Sequence, residues 1–193
     1  MEINVDNIIL QRRSFFSYVA HDDFDVLDNE QKKLFYIKRD HSFRPQILIF
    51  TKDEKSLLLK IKSQAGFSIS DRRIYLVFNE VGNVICKIKG KGFLFSSWDV
   101  VDTFTNKILV TARHEYERER KWWKFLWRYA FFDDSYGKKC IFIEGKQVGS
   151  FFPSNRGYIM DLSGDPKKML NREVALALAA FLCSDIAVGR SSG

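Results

Sequence analysis

Val174-Ala175-Leu176-Ala177-Leu178-Ala179-Ala180-Phe181-Leu182-Cys183 is ten consecutive apolar residues, with no β-branched side chain after Val174. Leucine and alanine are strong helix formers, so the stretch reads as a helix of nearly three turns. Asp165-Pro166 or Asn171 can cap its start, and the expected span is about 170–184. A helix on the surface of a domain shows a polar stripe, and this one has none. It is also too short to span a bilayer, which takes about 20 apolar residues. A helix apolar on every side needs protein on every side.

The rest of the chain supplies the surround. Period-2 alternation recurs as strand, Asp/Asn/Gly turn, strand. Phe24–Asp28 leads to Leu34–Ile37, Ile47–Phe50 to Leu57–Ile61, Ile74–Phe78 to Val84–Ile88, and Trp98–Asp102 to Ile108–Val110. A fifth unit is read as Tyr129–Phe132, the turn Asp133–Gly137, and Cys140–Ile143. The turns then fall near residues 29, 53, 81, 105 and 135. Shorter turns follow at Glu144-Gly145-Lys146 and Pro153–Gly157. The expected fold is all-β with one buried C-terminal helix. It is a closed antiparallel barrel of about twelve strands, covering about 8–161, around the helix. No Ser-, Gly- or Pro-rich linker divides residues 1–193, so a single domain is expected.

Composition agrees with this. Aromatic residues make up 15% of the 193, with 18 Phe, which favours pleated, half-buried surfaces. Cys86, Cys140 and Cys183 are an odd number without CxxC spacing, as in a reducing cytoplasm with buried thiols. The N-terminus lacks the apolar core of a signal peptide, so the expected location is cytoplasmic, with peripheral membrane contact open. The net charge of +7 points to anionic partners: nucleic acid, anionic lipid or acidic proteins.

Serial hairpins, then Tyr158-Ile159-Met160-Asp161, the Asp165 loop, Leu170-Asn171-Arg172-Glu173 and the Ala/Leu-rich terminal helix resemble the tubby C-terminal-like superfamily. Within it the pattern is most similar to the LURP-one-related and phospholipid scramblase-like branch, over residues 8–188. The resemblance implies a twelve-stranded barrel around a hydrophobic helix. It also implies lipid chemistry, since tubby domains bind phosphoinositides and scramblases are calcium-linked lipid proteins. The acidic calcium ligands of scramblases are not reproduced. Asp161, Asp165 and Asp185 are too few and too poorly spaced for the six to eight oxygens that Ca²⁺ takes.

The candidate binding stretch is Arg118-Glu119-Arg120-Lys121-Trp122-Trp123-Lys124-Phe125-Leu126-Trp127-Arg128-Tyr129. As a strand it places Trp122, Lys124, Leu126 and Arg128 on one face and Trp123, Phe125, Trp127 and Tyr129 on the other. As a helix it gathers Arg120, Lys121, Lys124 and Arg128 on one side, as an interfacial membrane helix does. The strand is preferred because the stretch runs into the Asp133–Gly137 turn. In either form Arg118, Arg120, Lys121, Trp122, Lys124 and Arg128 are the residues expected to meet lipid headgroups, or a nucleic-acid strand through stacking and phosphate contacts. The bland reading is a solvated face over core tryptophans.

Lys87, Lys89 and Lys91 form a second basic set, with Arg72-Arg73 before the same hairpin. Alternating lysines read first as the wet face of a strand or as protection of a sheet edge, and second as a functional binding set. Asp22-Asp23-Phe24-Asp25 offers oxygens to a cation but matches no Ca²⁺ loop, so a solvated turn is expected. His21, His41 and His114 are far apart and in no ligand spacing. Gly66-Phe67-Ser68-Ile69-Ser70 lacks the last glycine of a nucleophile elbow, and Gly90-Lys91-Gly92 lacks the third glycine of a dinucleotide loop. No catalytic residue, metal or cofactor is expected. The expected function is a non-enzymatic binding module for anionic phospholipid, with nucleic-acid binding, acidic-protein binding or a structural or small-ligand barrel as alternatives.

Overall fold

The computed structural model describes residues 6–13, 23–40, 46–64, 74–91, 97–114 and 138–188. Among them are twelve strands and one helix. The strands are β1 (Asn7–Arg12), β2 (Phe24–Leu27), β3 (Lys33–Asp40), β4 (Gln46–Thr51), β5 (Leu57–Ser63) and β6 (Ile74–Asn79). They continue as β7 (Val84–Lys91), β8 (Ser97–Asp102), β9 (Ile108–His114), β10 (Lys139–Ile143), β11 (Lys146–Ser154) and β12 (Gly157–Asp161). The helix is α1 (Arg172–Val188). Each strand pairs antiparallel with its neighbours in sequence, and β1 pairs with β12, so the barrel is closed.

The closing seam is fully in register, from Asn7 opposite Asp161 to Gln11 opposite Gly157. Main-chain bonds extend it at both ends, Leu162 N to Asp6 O (2.7 Å) and Arg12 N to Arg156 O (2.9 Å). Five pairings carry a register shift, in β2–β3, β4–β5, β6–β7, β8–β9 and β10–β11. Each lies next to the hairpin turn. An extra residue there bends and twists the ribbon, which is what closing a sheet requires.

Four hairpins match the sequence reading, and the fifth does not. β10 pairs with β9 on one side and β11 on the other. The fifth hairpin turn is therefore Glu144-Gly145, and Cys140–Ile143 does not pair with Tyr129–Phe132. The segment 129–137 lies outside the described residues. The apolar run and Asp/Gly cluster there imitate a hairpin in one dimension, but both sides of β10 are already bonded.

The connections divide into two rims. The turns β2–β3, β4–β5, β6–β7, β8–β9 and β10–β11 and the 162–171 loop lie at the proximal rim. The β11–β12 turn and the opposite ends of the strands lie at the distal rim. α1 starts from the proximal rim. Asn171 caps it, its Oδ1 accepting from the N–H groups of Glu173 (2.8 Å) and Val174 (3.4 Å). The other capping candidate, Asp165, holds the loop before it and accepts from Met169 N (2.8 Å), Leu170 N (3.0 Å) and the Arg172 guanidinium (3.3 Å). Helix geometry thus begins at Arg172, two residues later than expected, and runs four residues further.

Residues Val174–Cys183 are all buried. α1 touches β1, β4 and β5, and the Phe181 ring lies 4.7 Å from the rings of Tyr75 on β6 and Trp98 on β8. In the strand order these partners stand on opposite sides of the barrel. The inward residues of every strand and of the helix form one continuous core. The helix is the axis of that core.

Candidate anion-binding face

Inward and outward positions alternate along the strands, so the outer face can be read from register. On β5, Leu59 and Ile61 point in while Lys60 and Lys62 point out. On β7, Cys86 and Ile88 point in while Lys87, Lys89 and Lys91 point out. Between them β6 turns Ile74, Leu76 and Phe78 outward, each half-buried. Lys60 stands opposite Phe78, Lys62 and Lys87 flank Leu76, and Lys89 stands opposite Ile74. The result is a face of lysines alternating with apolar side chains over three adjacent strands.

The lysines differ in their partners. Lys91 is ion-paired to the buried carboxylate of Asp99, which also accepts from Thr111 Oγ1 (2.7 Å). No described carboxylate pairs with Lys60, Lys62, Lys87 or Lys89. The ammonium of Lys60 is held below the usual lysine range, first by the neighbouring Lys62 and then by burial, against a weaker opposing pull from Asp40. Two like charges at alternate positions of one strand produce that result, and an anion placed between them relieves it. A groove of about 230 Å³ opens here, lined by Leu57, Lys60, Lys62, Phe78 and Asn79 and by Glu80 and Gly82 of the β6–β7 turn.

Closure of the barrel removes one explanation of the alternating lysines. β5 and β7 have hydrogen-bonded neighbours on both sides, so neither needs protection as an edge. Lys87, Lys89 and Lys91 were visible in the sequence as a set. Lys60 and Lys62 were not singled out, although Leu59-Lys60-Ile61-Lys62 carries the same alternation. What joins the two pairs is register through β6, which one dimension does not display.

The principal sequence-derived residues, Arg118, Arg120, Lys121, Trp122, Lys124 and Arg128, lie outside the described residues, as do Arg72 and Arg73. The strand ends that flank 115–137, at His114 and Lys139, are at the distal rim.

The acidic N-terminal set resolves differently from the sequence reading. Asp25 is neither a cation ligand nor a free turn residue. It accepts from Arg13 (2.8 and 3.0 Å) and is ion-paired to Lys33 (3.0 Å). Glu54 of the β4–β5 turn joins the same two cations. Hydrogen bonds from Arg13, then Lys33, hold the Glu54 carboxyl down to about 2. Asp23 accepts from the Tyr36 hydroxyl. Burial, then Asp23, pushes that phenol well above its usual range. The Arg13 guanidinium lies 4.1 Å over the Tyr36 ring. This is a cross-strand tie over β1, β2, β3 and the β4–β5 turn, in which Asp25 and Glu54 are paired with Arg13 and Lys33.

Asp161 and Asp165 are likewise engaged by the loop before α1. Asp161 accepts from Ser163 N (2.8 Å), and Asp165 makes the bonds given above. Among the described residues no three His, Cys, Asp or Glu side chains converge on a metal position. Burial, then the charge of Asp102, pushes the Cys86 thiol up to about 12, so it is not a thiolate near neutral pH. His21 and His41 lie outside the described residues.

The class defined by fold and site is a closed twelve-stranded barrel with an axial helix and a basic outer face. Compared with protein-family models, curated proteins and solved structures, the chain gives no match. No described helix is long and apolar enough to cross a membrane.

Proposed function

We propose that this protein is a non-enzymatic, tubby-like binding module that docks on anionic phospholipid surfaces, phosphoinositides included. The observation that carries the proposal is the Lys60/Lys62/Lys87/Lys89 face. These four ammonium groups have no described carboxylate partner and alternate with Ile74, Leu76 and Phe78 on a barrel without edges. Basic side chains near an anionic membrane contribute about 1 kcal/mol each, so four support reversible attachment. The net charge of +7 and the lipid chemistry implied by the tubby-like pattern point the same way. The Arg118–Arg128 stretch is the second basic element of the proposal.

Vesicle co-sedimentation at physiological salt tests it, with neutral, phosphatidylserine and phosphoinositide vesicles. Binding to the anionic vesicles only is expected. A Lys60/Lys62/Lys87/Lys89→Ala variant with an unchanged melting temperature is expected to lose at least tenfold in affinity. A Lys121/Trp122/Lys124/Arg128→Ala variant reports the share of the second element. Absence of binding to every vesicle, or displacement from them by equimolar oligonucleotide, overturns the lipid reading in favour of a protein or nucleic-acid partner.

A further inference from the structure

The turn that ends the lysine groove carries one apolar side chain among polar ones. Glu80 and Gly82 line it, and the residue between them, Val81, is 76% exposed at the tip of the β6–β7 hairpin. Since β7 pairs with β8, the next hairpin on the proximal rim is β8–β9, and its tip carries Phe104, 87% exposed. Opposite pairing of Cys86 and Asp102 places both turns beyond the same level of the sheet. Hairpin midpoints two strand spacings apart are about 10 Å from each other. Single exposed apolar residues are ordinary on protein surfaces. Here, however, a valine and a phenylalanine occupy adjacent tips at the mouth of a basic groove.

Both tips are built to hold these side chains outward. In the β8–β9 turn, Asp102 Oδ1 accepts from Phe104 N (3.0 Å), Thr105 N (2.7 Å) and Thr105 Oγ1 (2.8 Å). The Asp102 charge is therefore directed into its own turn. In the β6–β7 turn, Asn79 Oδ1 accepts from Asn83 N (2.8 Å), and Gly82 takes the positive φ of 90° that closes the turn. Each tip thus presents its side chain without further ordering.

We infer that Val81 and Phe104 form a membrane-insertion edge, entering the boundary between headgroups and acyl chains of an anionic bilayer. This rests on the lipid reading above and adds which rim faces the membrane. The charge pattern supports the occupant. Lys62 and Lys87 flank Leu76, three residues before the end of β6 at Asn79, and Lys60 flanks Phe78, one residue before it. At about 3.3 Å per residue, Lys62 and Lys87 stand about 10 Å and Lys60 about 3 Å behind the foot of the β6–β7 turn. Interfacial apolar groups sit about 5–10 Å deep, so tips at that depth bring the lysines to the level of the lipid phosphates.

The test uses the full chain with Phe104→Cys carrying an environment-sensitive fluorophore. The three described native cysteines are buried, so the label goes to the tip. The control is Asn155→Cys, exposed in the β11–β12 turn at the distal rim. With phosphatidylserine vesicles, a blue shift at position 104 and none at 155 is expected. A Val81→Ser/Phe104→Ser variant is expected to bind these vesicles about tenfold more weakly, from lost burial of two apolar side chains. Sedimentation with vesicles but no shift at 104, a shift at 155 alone, or unchanged affinity of the serine variant overturns the insertion edge and leaves the lipid reading standing. Failure to sediment with any anionic vesicle overturns both.

Discussion

A single glutamate illustrates how local charge reaches stability. Glu54 is exposed in the β4–β5 turn, yet Arg13 and Lys33 hold its carboxyl at about 2, below its ordinary 4.5. A carboxyl depressed on folding stabilises the native state above its unfolded value, and that contribution is lost as pH falls toward the folded value. The denaturation midpoint is therefore expected to drop between about pH 4.5 and pH 2. Asp25, raised by burial but lowered further by Arg13 and Lys33, adds in the same direction. Glu54→Gln is expected to lower the midpoint at pH 7 and to flatten its fall in acid. Urea unfolding at pH 7, 5 and 3 checks this, and an equally steep fall in the variant would show that the tie does not act through Glu54. The residues of this tie are scattered over residues 13–54, and nothing in their spacing announced that they meet. Lys60 and Lys62, by contrast, were legible as alternation, although their meaning depended on the strand beside them.

At the scale of elements, the hairpins were readable because each is local. An apolar alternation, an Asn, Asp or Gly turn and a second alternation specify one another within about 15 residues. The fifth unit failed because the same signals occur at 129–143 without the pairing. Register across the closing seam is set by contact rather than by pattern, and Gly157 marks it. A Cβ there would overlap the carbonyl oxygen of Leu10 on β1, a backbone atom that cannot move aside without disturbing the seam. Gly157→Ala is expected to destabilise the protein by about 2 kcal/mol, the cost of overpacking a fixed site. The urea midpoint should shift accordingly, and an unchanged midpoint would mean the seam yields freely.

On the whole-molecule scale, the axial helix and the barrel depend on each other. The inward residues of the strands have no other surface to cover, and Val174–Cys183 of α1 is buried on every side. Leu178 is fully buried in that core. Leu178→Asp places a charge where no described partner exists, a change expected to exceed about 4 kcal/mol and to abolish soluble folding. Soluble expression with an unchanged unfolding midpoint would overturn the axial arrangement. The same scale sets the proposed orientation on a membrane, because the antiparallel order puts alternate turns at one end and closure bends that end into a rim.

The sequence by itself determined four of the hairpins, the class of a barrel of about twelve strands and the buried helix. Those follow from side-chain periodicity and from the absence of a polar stripe in Val174–Cys183, which are properties of neighbouring residues. Only the tertiary structure decided that β10 pairs with β9, that Lys60 and Lys62 share a face with Lys87 and Lys89, and that Val81 and Phe104 stand on adjacent tips. Each of those is a relation between residues distant along the chain. Such relations are fixed by hydrogen-bond register and barrel closure, for which no local run of residues carries the information.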